Sequence, residues 1–360
     1  MNTKEFLAFC DTVEIVRHGE LPDLLTFSDG SPVRTTDDWE RRRKEVADAV
    51  IPGLFGGMPP AVAPEAVETD LISICTCEGF CHHMDTMNRR TIRVTVRGGL
   101  EPVVFDVNLW SAANQSSPAP LLLEGDGCWS YLTEEVITGA LRRGWVVAQF
   151  NRCVFARDEK NSRDRGLYRA FPGSYGAIAA WAWGYHRAID ALLRTGFVDP
   201  ERIAITGHSR GGKTVLLAGA TDTRIGAVGD NSSGCCGSGN FRAEGQGAER
   251  IDDIVNRFGF WFAEDLGRWA GHEAEMPFDH HFTEALLAPR GLFIRHAKED
   301  LWANPAGALE TYRAARKVWE LLGAPEKIAF SGRDRKHFHE PSDFERYLDF
   351  CEAIFRFDHR

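Results

Sequence analysis

Residues 202–220 read RIAITGHSRGGKTVLLAGA, an apolar strand that runs into Gly207-His208-Ser209-Arg210-Gly211 and then into a helix. A G-x-S-x-G spacing between strand and helix is the nucleophile elbow, in which a tight turn lifts a serine hydroxyl to the top of a sheet. A side chain at either flanking glycine would clash in that turn. The backbone N–H of Arg210, at the start of the helix, is placed to stabilise an oxyanion. The chemistry implied is acyl transfer through Ser209. The competing reading, a plain strand-to-helix turn, is disfavoured by the strand–turn–helix context.

A serine nucleophile needs a histidine base and an acid, which in this kind of sheet follow in the order serine, acid, histidine. After Ser209 the apolar segment GLFIRHA ends in Lys298-Glu299-Asp300, and after KIAFSG comes RDRKHFHE with His337 and His339. Both segments sit where loops leave the carboxyl ends of parallel strands, the place where such sheets bind ligands. Asp300 is expected to orient the imidazole, ahead of Glu299. In an extended backbone His337 and His339 point to opposite sides, so only one of them meets Ser209. Gly125-Asp126-Gly127 follows the buried segment PLLLE. Glycine permits close backbone approach there, and Gly127 is the expected second oxyanion donor.

These groups need a scaffold, and the rest of the chain describes one. TIRVTV, VVFDVNLW, PLLLE, WVVAQF, RIAITG, IGAVGD, GLFIRHA and KIAFSG read as strands. TEEVITGALRRG, IAAWAWGYHRAIDALLRTG, the segment after Gly211, ALETYRAARKVWELLG and DFERYLDFCEAIFRF read as helices. Alternation of short apolar strands with helices implies an α/β fold with a mostly parallel sheet covered by helices on both faces. Ahead of it, a charged helix from about Asp37 to Val50 leads into IPGLFGGMPPAVAP, whose glycine and proline load marks a linker. The expected division is an N-terminal segment over residues 1–90, packing on a catalytic domain over residues 91–360.

Composition limits the function classes. With 360 residues and 43% hydrophobic content the chain has enough apolar material for one large core. A net charge of −10, with no block of Lys or Arg, gives nothing to neutralise phosphates, so nucleic acid is not expected as a partner. No apolar run approaches the roughly 20 residues that a membrane span needs. The opening MNTKEFLAFCDTVEIVRHGE lacks the apolar stretch of a secretory signal, and nine cysteines exclude a fully paired disulfide framework. The expected location is cytoplasmic.

The pieces together resemble the glucuronoyl esterases, carbohydrate esterase family fifteen of the α/β-hydrolases, over roughly Pro118 to Phe355. Gly207-His208-Ser209-Arg210-Gly211-Gly212-Lys213 resembles the family's G-C-S-R-x-G-K signature, with His208 in place of cysteine. The helix segment AWAWG, then DNSSGCCGSG, FGFWF, MPFDHHFTEALLAPRGLFI, EDLWANPAG and DFERYLDF follow in the family's order. The resemblance implies an α/β-hydrolase fold and cleavage of an ester of a uronic acid or related sugar through an acyl-enzyme, with no cofactor and no metal. It implies Ser209 as nucleophile, Arg210 as oxyanion donor through backbone and guanidinium, and Lys213, Glu249 and Trp261 as lining of the sugar pocket. The spacing from His337 to Asp343-Phe344 is similar to that from the family's catalytic histidine to its Asp-Trp pair. That favours His337 over His339 as the base.

Two departures stand out. Many members keep a catalytic glutamate where this chain has Ser232-Ser233-Gly234, which leaves the role to Asp300. A missing export signal shifts the expectation from polymeric xylan toward a small uronate ester or another acyl ester. A general carboxylesterase, acetyl-sugar esterase or lactonase is therefore the alternative, and a catalytically inactive hydrolase-fold binding protein is a third reading. Among other tracts, Cys75-Thr76-Cys77 with Cys81-His82-His83 has metal-ligand residue types, but its first gap is too short for an ordinary zinc pair. It is read as strand. His280 and His281 are expected to be structural, and Cys235-Cys236 to be packing.

Overall fold

The computed structural model describes residues 3–77 and 86–357. The chain begins with α1 (Thr3–Thr12), β1 (Ile15–Arg17) and α2 (Thr36–Phe55). A capping box opens α2, Thr35 accepting from the Asp38 N–H and the Asp38 carboxylate accepting from the Thr35 N–H. The linker expected from Ile51 is helical up to Phe55, because Pro52 removes one backbone bond while Leu54 and Phe55 bury their side chains beyond it. Gly56, at φ 72°, ends the helix.

An antiparallel meander follows, β2 (Val67–Cys77), β3 (Met87–Val96) and β4 (Val103–Ala112). Then strands and helices alternate through β5 (Ala119–Glu124), α3 (Glu134–Arg142), β6 (Val146–Phe150), α4 (Leu167–Ala170), α5 (Ala177–Leu193), β7 (Val198–His208), α6 (Arg210–Thr221) and β8 (Ala227–Asn231). The last part holds β9 (Ala243–Gly245), α7 (Ile251–Phe258), α8 (His280–Ala285), β10 (Gly291–Ala297), α9 (Pro305–Leu321), β11 (Ile328–Arg333) and α10 (Pro341–Phe357). The main sheet runs β11-β10-β8-β7-β5-β6-β4-β3-β2, parallel from β11 to β6 and antiparallel beyond. Short β1 pairs with β9 apart from it.

Side-chain alternation along the parallel strands divides the core in two. Leu121, Leu123, Ile203, Ile205, Leu292 and Ile294 join one apolar cluster with α5 and α6. Leu122, Ala204 and Phe293 join another with α3 and α10. Apolar residues at successive positions therefore serve opposite faces, and helices cover both. Residues 177–192 of α5 are buried all round, as the almost charge-free AIAAWAWGY run requires.

The boundary expected at residue 90 falls inside β3, and the sheet already begins at Val67. The first 90 residues are thus partly sheet and partly cover. In α1, Phe6 sits against Gly332 of β11 so closely that a Cβ there would lie 2.0 Å from its ring. α2 packs on α8. Among the described residues no helix is long and apolar enough to cross a membrane.

Candidate active site

Four neighbouring parallel strands end on the same edge. β7 leads into Ser209, β8 into Ser232, β10 into Asp300 and β11 into His337. Ser209 has φ 57° and ψ −120°, a strained conformation for a residue with a side chain. The elbow glycines have a steric cause. A Cβ on Gly207 would stand 2.4 Å from the Gly211 carbonyl oxygen, and one on Gly211 would stand 2.2 Å from the Asp126 carboxylate. The same carboxylate accepts the His208 N–H at 3.0 Å and pairs with buried Arg152, so the turn is clamped from below.

His337 Nδ1 lies 2.6 Å from Asp300 Oδ2. Burial works to raise the Asp300 carboxyl, but the hydrogen bond and charge of His337, with His296 and His208 behind, outweigh it and hold the carboxyl below its ordinary value. Asp300 is therefore an anion that fixes His337 as the Nδ1–H tautomer and leaves Nε2 as the basic nitrogen. His337 and Ser209 line one cavity of about 220 Å³. Glu299, the lesser sequence candidate, is exposed. His339, the alternative base, is turned into the core. It stacks on Phe344 at 4.0 Å, and burial, with Arg333 and Arg295 nearby, pushes its pKa down to about 3. The two histidines point to opposite sides, as alternate residues of an extended segment do.

His208, at the family's cysteine position, lies 4.4 Å ring to ring from His337, with Nδ1 2.8 Å from Asn231 Oδ1. Burial, then the neighbouring histidines His337 and His339, hold it neutral, well below its ordinary range. A neutral ring there packs against His337 without repelling that imidazole when it is protonated. Ser232 stands at φ 50° with its hydroxyl buried and unpartnered among the described residues, and supplies no acid.

The oxyanion side differs from expectation at one residue. Arg210 begins α6, so its N–H has no intrahelical acceptor and is available to a ligand. Its guanidinium is held by Asp158 at 2.6 Å and lies 4.6 Å from the Trp261 ring centre. Gly127 is not available. Its N–H donates to the Phe150 carbonyl at 3.1 Å, and it lines a separate groove of about 420 Å³ with Asn108 and Gln149. The loop after β5 closes onto the end of β6, and what it turns toward the elbow is Asp126.

Of the expected sugar-pocket residues, Lys213, Glu249 and Trp261 all line the Ser209 cavity. Lys213 is buried, donating to the carbonyls of Ser233 and Cys235 and standing 3.4 Å from Glu249 Oε2, so it also pins the loop after β8. Trp261 is only 2% exposed. It stacks on Phe258 at 4.0 Å and donates to Asp158 at 2.8 Å, which makes it a support for Arg210 rather than an open platform. The open indole is Trp302, 40% exposed, whose Nε1 donates to Glu249 Oε1 at 3.2 Å. Sequence reading passed over Trp302, although EDLWANPAG places it two residues after Asp300 on the strand-end loop. It also passed over Asp158 and Arg257, which carry no motif.

Among the described residues no three His, Cys, Asp or Glu side chains gather as a metal would require. Cys75 and Cys77 lie on the outer strand β2 with their sulfurs 3.9 Å apart, Cys75 exposed and Cys77 half-buried against the cluster of α3 and α10. Cys81, His82 and His83 fall outside the described residues. His280 and His281 are buried, and Cys235 and Cys236 are core cysteines without a disulfide.

The family model for glucuronyl esterases of fungi matches residues 94–323. A 4-O-methyl-glucuronoyl methylesterase of Schizophyllum commune is 30% identical over 359 residues, covering 94% of this chain and 84% of that protein. A glucuronoyl esterase from Solibacter usitatus superposes with a TM-score of 0.83 at 26% identity, covering 95% of this chain and 99% of the other. A glucuronoyl esterase from Sporotrichum thermophile, solved as a serine-to-alanine variant with methyl 4-O-methyl-β-D-glucopyranuronate, superposes with a TM-score of 0.75 at 25% identity, covering 94% and 88%. With the elbow, the acid–histidine pair and the sheet in place, the chain belongs to the glucuronoyl esterase family, as an α/β-hydrolase that cleaves carboxylic esters of uronic acids.

Proposed function

We propose that Ser209, His337 and Asp300 carry out this hydrolysis through an acyl-enzyme, and that the uronosyl unit bearing the ester carbonyl is held by Lys213, Glu249 and Trp302. The observation that carries the assignment is the 2.6 Å contact of buried Asp300 with His337, which lines the same cavity as Ser209. Ser209 Oγ bonds to the ester carbonyl carbon as its proton passes to His337 Nε2, and the Arg210 N–H receives the charge on the carbonyl oxygen. The C–O bond to the alcohol then breaks, and the alcohol leaves with the proton from His337. Water repeats the sequence, returning a proton to Ser209 and releasing the uronate. A cavity of about 220 Å³ is smaller than those that hold drug-sized ligands, which suits one uronosyl unit at the reacting carbonyl with the rest of the ester outside.

The test is turnover of methyl glucuronate ester, and of a short acetyl ester, by wild type and by Ser209→Ala. Loss of glucuronate-ester turnover by several orders of magnitude in Ser209→Ala is expected. An unchanged kcat would overturn the assignment of the nucleophile. Cleavage of the acetyl ester alone by the wild type would instead make the protein a general carboxylesterase.

A further inference from the structure

Three cations line the Ser209 cavity, and two of them are matched. Arg210 meets Asp158 at 2.6 Å, and Lys213 meets Glu249 at 3.4 Å as well as two carbonyls. The third is Arg257, in the last turn of α7. Among the described residues its guanidinium has no carboxylate and no hydrogen-bond acceptor, and its one charge-sensitive neighbour is the indole of Trp302, 5.2 Å away. The end of a helix favours a positive charge, which accounts for a basic residue at this position. It leaves the five N–H groups of the guanidinium unused.

A neutral uronate ester has no need of this group. The reacting carboxyl is uncharged until the oxyanion forms, and that charge arises beside the Arg210 N–H. Arg257 therefore faces the cavity with spare capacity for a second anion. Its position assigns the side. It lies over Trp302, which is bonded to Glu249, which in turn reaches Lys213, so Arg257 belongs to the wall that holds the sugar. His337, which must return a proton to the departing alcohol, comes from the separate loop after β11.

The geometry points to Arg257 as a specificity residue for a second, free carboxylate on the sugar-bearing side of the ester, which makes the favoured substrate an ester of an oligouronide rather than of an isolated uronic acid. This inference rests on the reading of Ser209 as the nucleophile. A guanidinium and a carboxylate match as two parallel N–H···O bonds, and stacking on an indole holds the fork in plane before the ligand arrives. Arg257 is exposed, and an ion pair in full solvent contributes little. The expected discrimination is therefore about tenfold, and salt diminishes it.

The experiment compares three substrates, namely the methyl ester of glucuronic acid, the monomethyl ester of a diuronic acid with its second carboxyl free, and the dimethyl ester of the same diuronic acid. The readout is the ratio of kcat/KM for the free-carboxyl ester to that for the dimethyl ester. Wild type should give a ratio of about ten, carried by KM and falling in high salt, Arg257→Gln a ratio near one, and Arg257→Lys a value between. A wild-type ratio near one, or an Arg257→Gln variant that slows both esters equally, would overturn the inference. A second measurement separates this from failure of the esterase reading. Calorimetric titration of the free diuronate into Ser209→Ala, with and without Arg257→Gln, should show at least fivefold weaker binding when Arg257 is lost. Equal binding also overturns the proposal, whereas a wild type that hydrolyses none of the three esters overturns the esterase reading and leaves the calorimetry as the test of Arg257.

Discussion

At the β7–β8–β10–β11 end of the sheet the strands are almost wholly buried, and each loop leaving them carries a polar group tied to another. At the far end, β2 is an eleven-residue edge strand that exposes Leu71, Ile72 and Ile74. A shift of register between Leu71 and Ser73 interrupts its alternation, so apolar side chains emerge at consecutive positions. The ion pairs differ in the same way. At the edge, Arg93–Asp106 and Arg97–Glu68 are about half exposed, and such pairs contribute little. At the site end, Arg152–Asp126 is fully buried, and Asp343 bridges Arg295 and Arg333 at 1% exposure. Buried charges hold only in one geometry, because any other leaves a charge unpaired at high cost. The chemistry is located where the sheet is rigid by that criterion, and the edge contributes area rather than precision.

The contrast is open to test. The largest effect belongs to the acid–histidine pair. Asp300→Asn should lower kcat by about 10⁴-fold with the fold intact, because the amide favours the wrong tautomer. Adding His337→Ala should cost little more, since the pair acts as a unit. A fully additive double variant, measured by steady-state kinetics, would break the comparison at its strongest point. Next in size is His339→Ala, which removes a ring packed against Phe344 and should cost about 2–3 kcal/mol in urea unfolding while leaving kcat per folded molecule near wild type. Retained stability with lost turnover would move His339 into the site.

Acidification should act mainly on the buried half. Burial lowers His296 to about 4 and His339 to about 3, against 6.5 for the unfolded chain. Below pH 6.5 the unfolded chain takes up protons that the folded chain refuses. The stability from these neutral rings is therefore complete above that pH and is lost as pH falls toward 4, by on the order of 1–2 kcal/mol per ring at pH 5. Unfolding midpoints at pH 7 and pH 5 check the slope, and a flat profile would contradict it. The smallest effect is expected at the edge, where Leu71→Lys and Ile74→Lys should each change stability by less than about 0.5 kcal/mol and leave kcat alone. A large loss of either would show that the edge is coupled to the site.

Several features were legible in the sequence because their causes are local. The elbow needs Gly207 and Gly211 for clearance within one turn, and the apolar strands and their alternation with helices express burial along each short segment. The order Ser209, Asp300, His337 follows once those strands are read. Only the end of β2, at Cys75-Thr76-Cys77, was read as strand, because VETDLISICTC has neither clean alternation nor a helical period. The boundary drawn at residue 90 accordingly lies within β3.

What the tertiary structure alone decided is the direction and company of side chains. His337 rather than His339 meets Asp300 because Phe344, from α10, takes one face of the segment into the core. Trp302 rather than Trp261 is the open indole because Asp158, 103 residues before Trp261, reaches across to bind it beside Arg210. Gly127 is unavailable because the end of β6 accepts its N–H. Residue type and spacing specify which groups a segment offers. Which of them remain free depends on packing and hydrogen bonds to elements far away in the chain, and those partners exist only once the sheet has assembled.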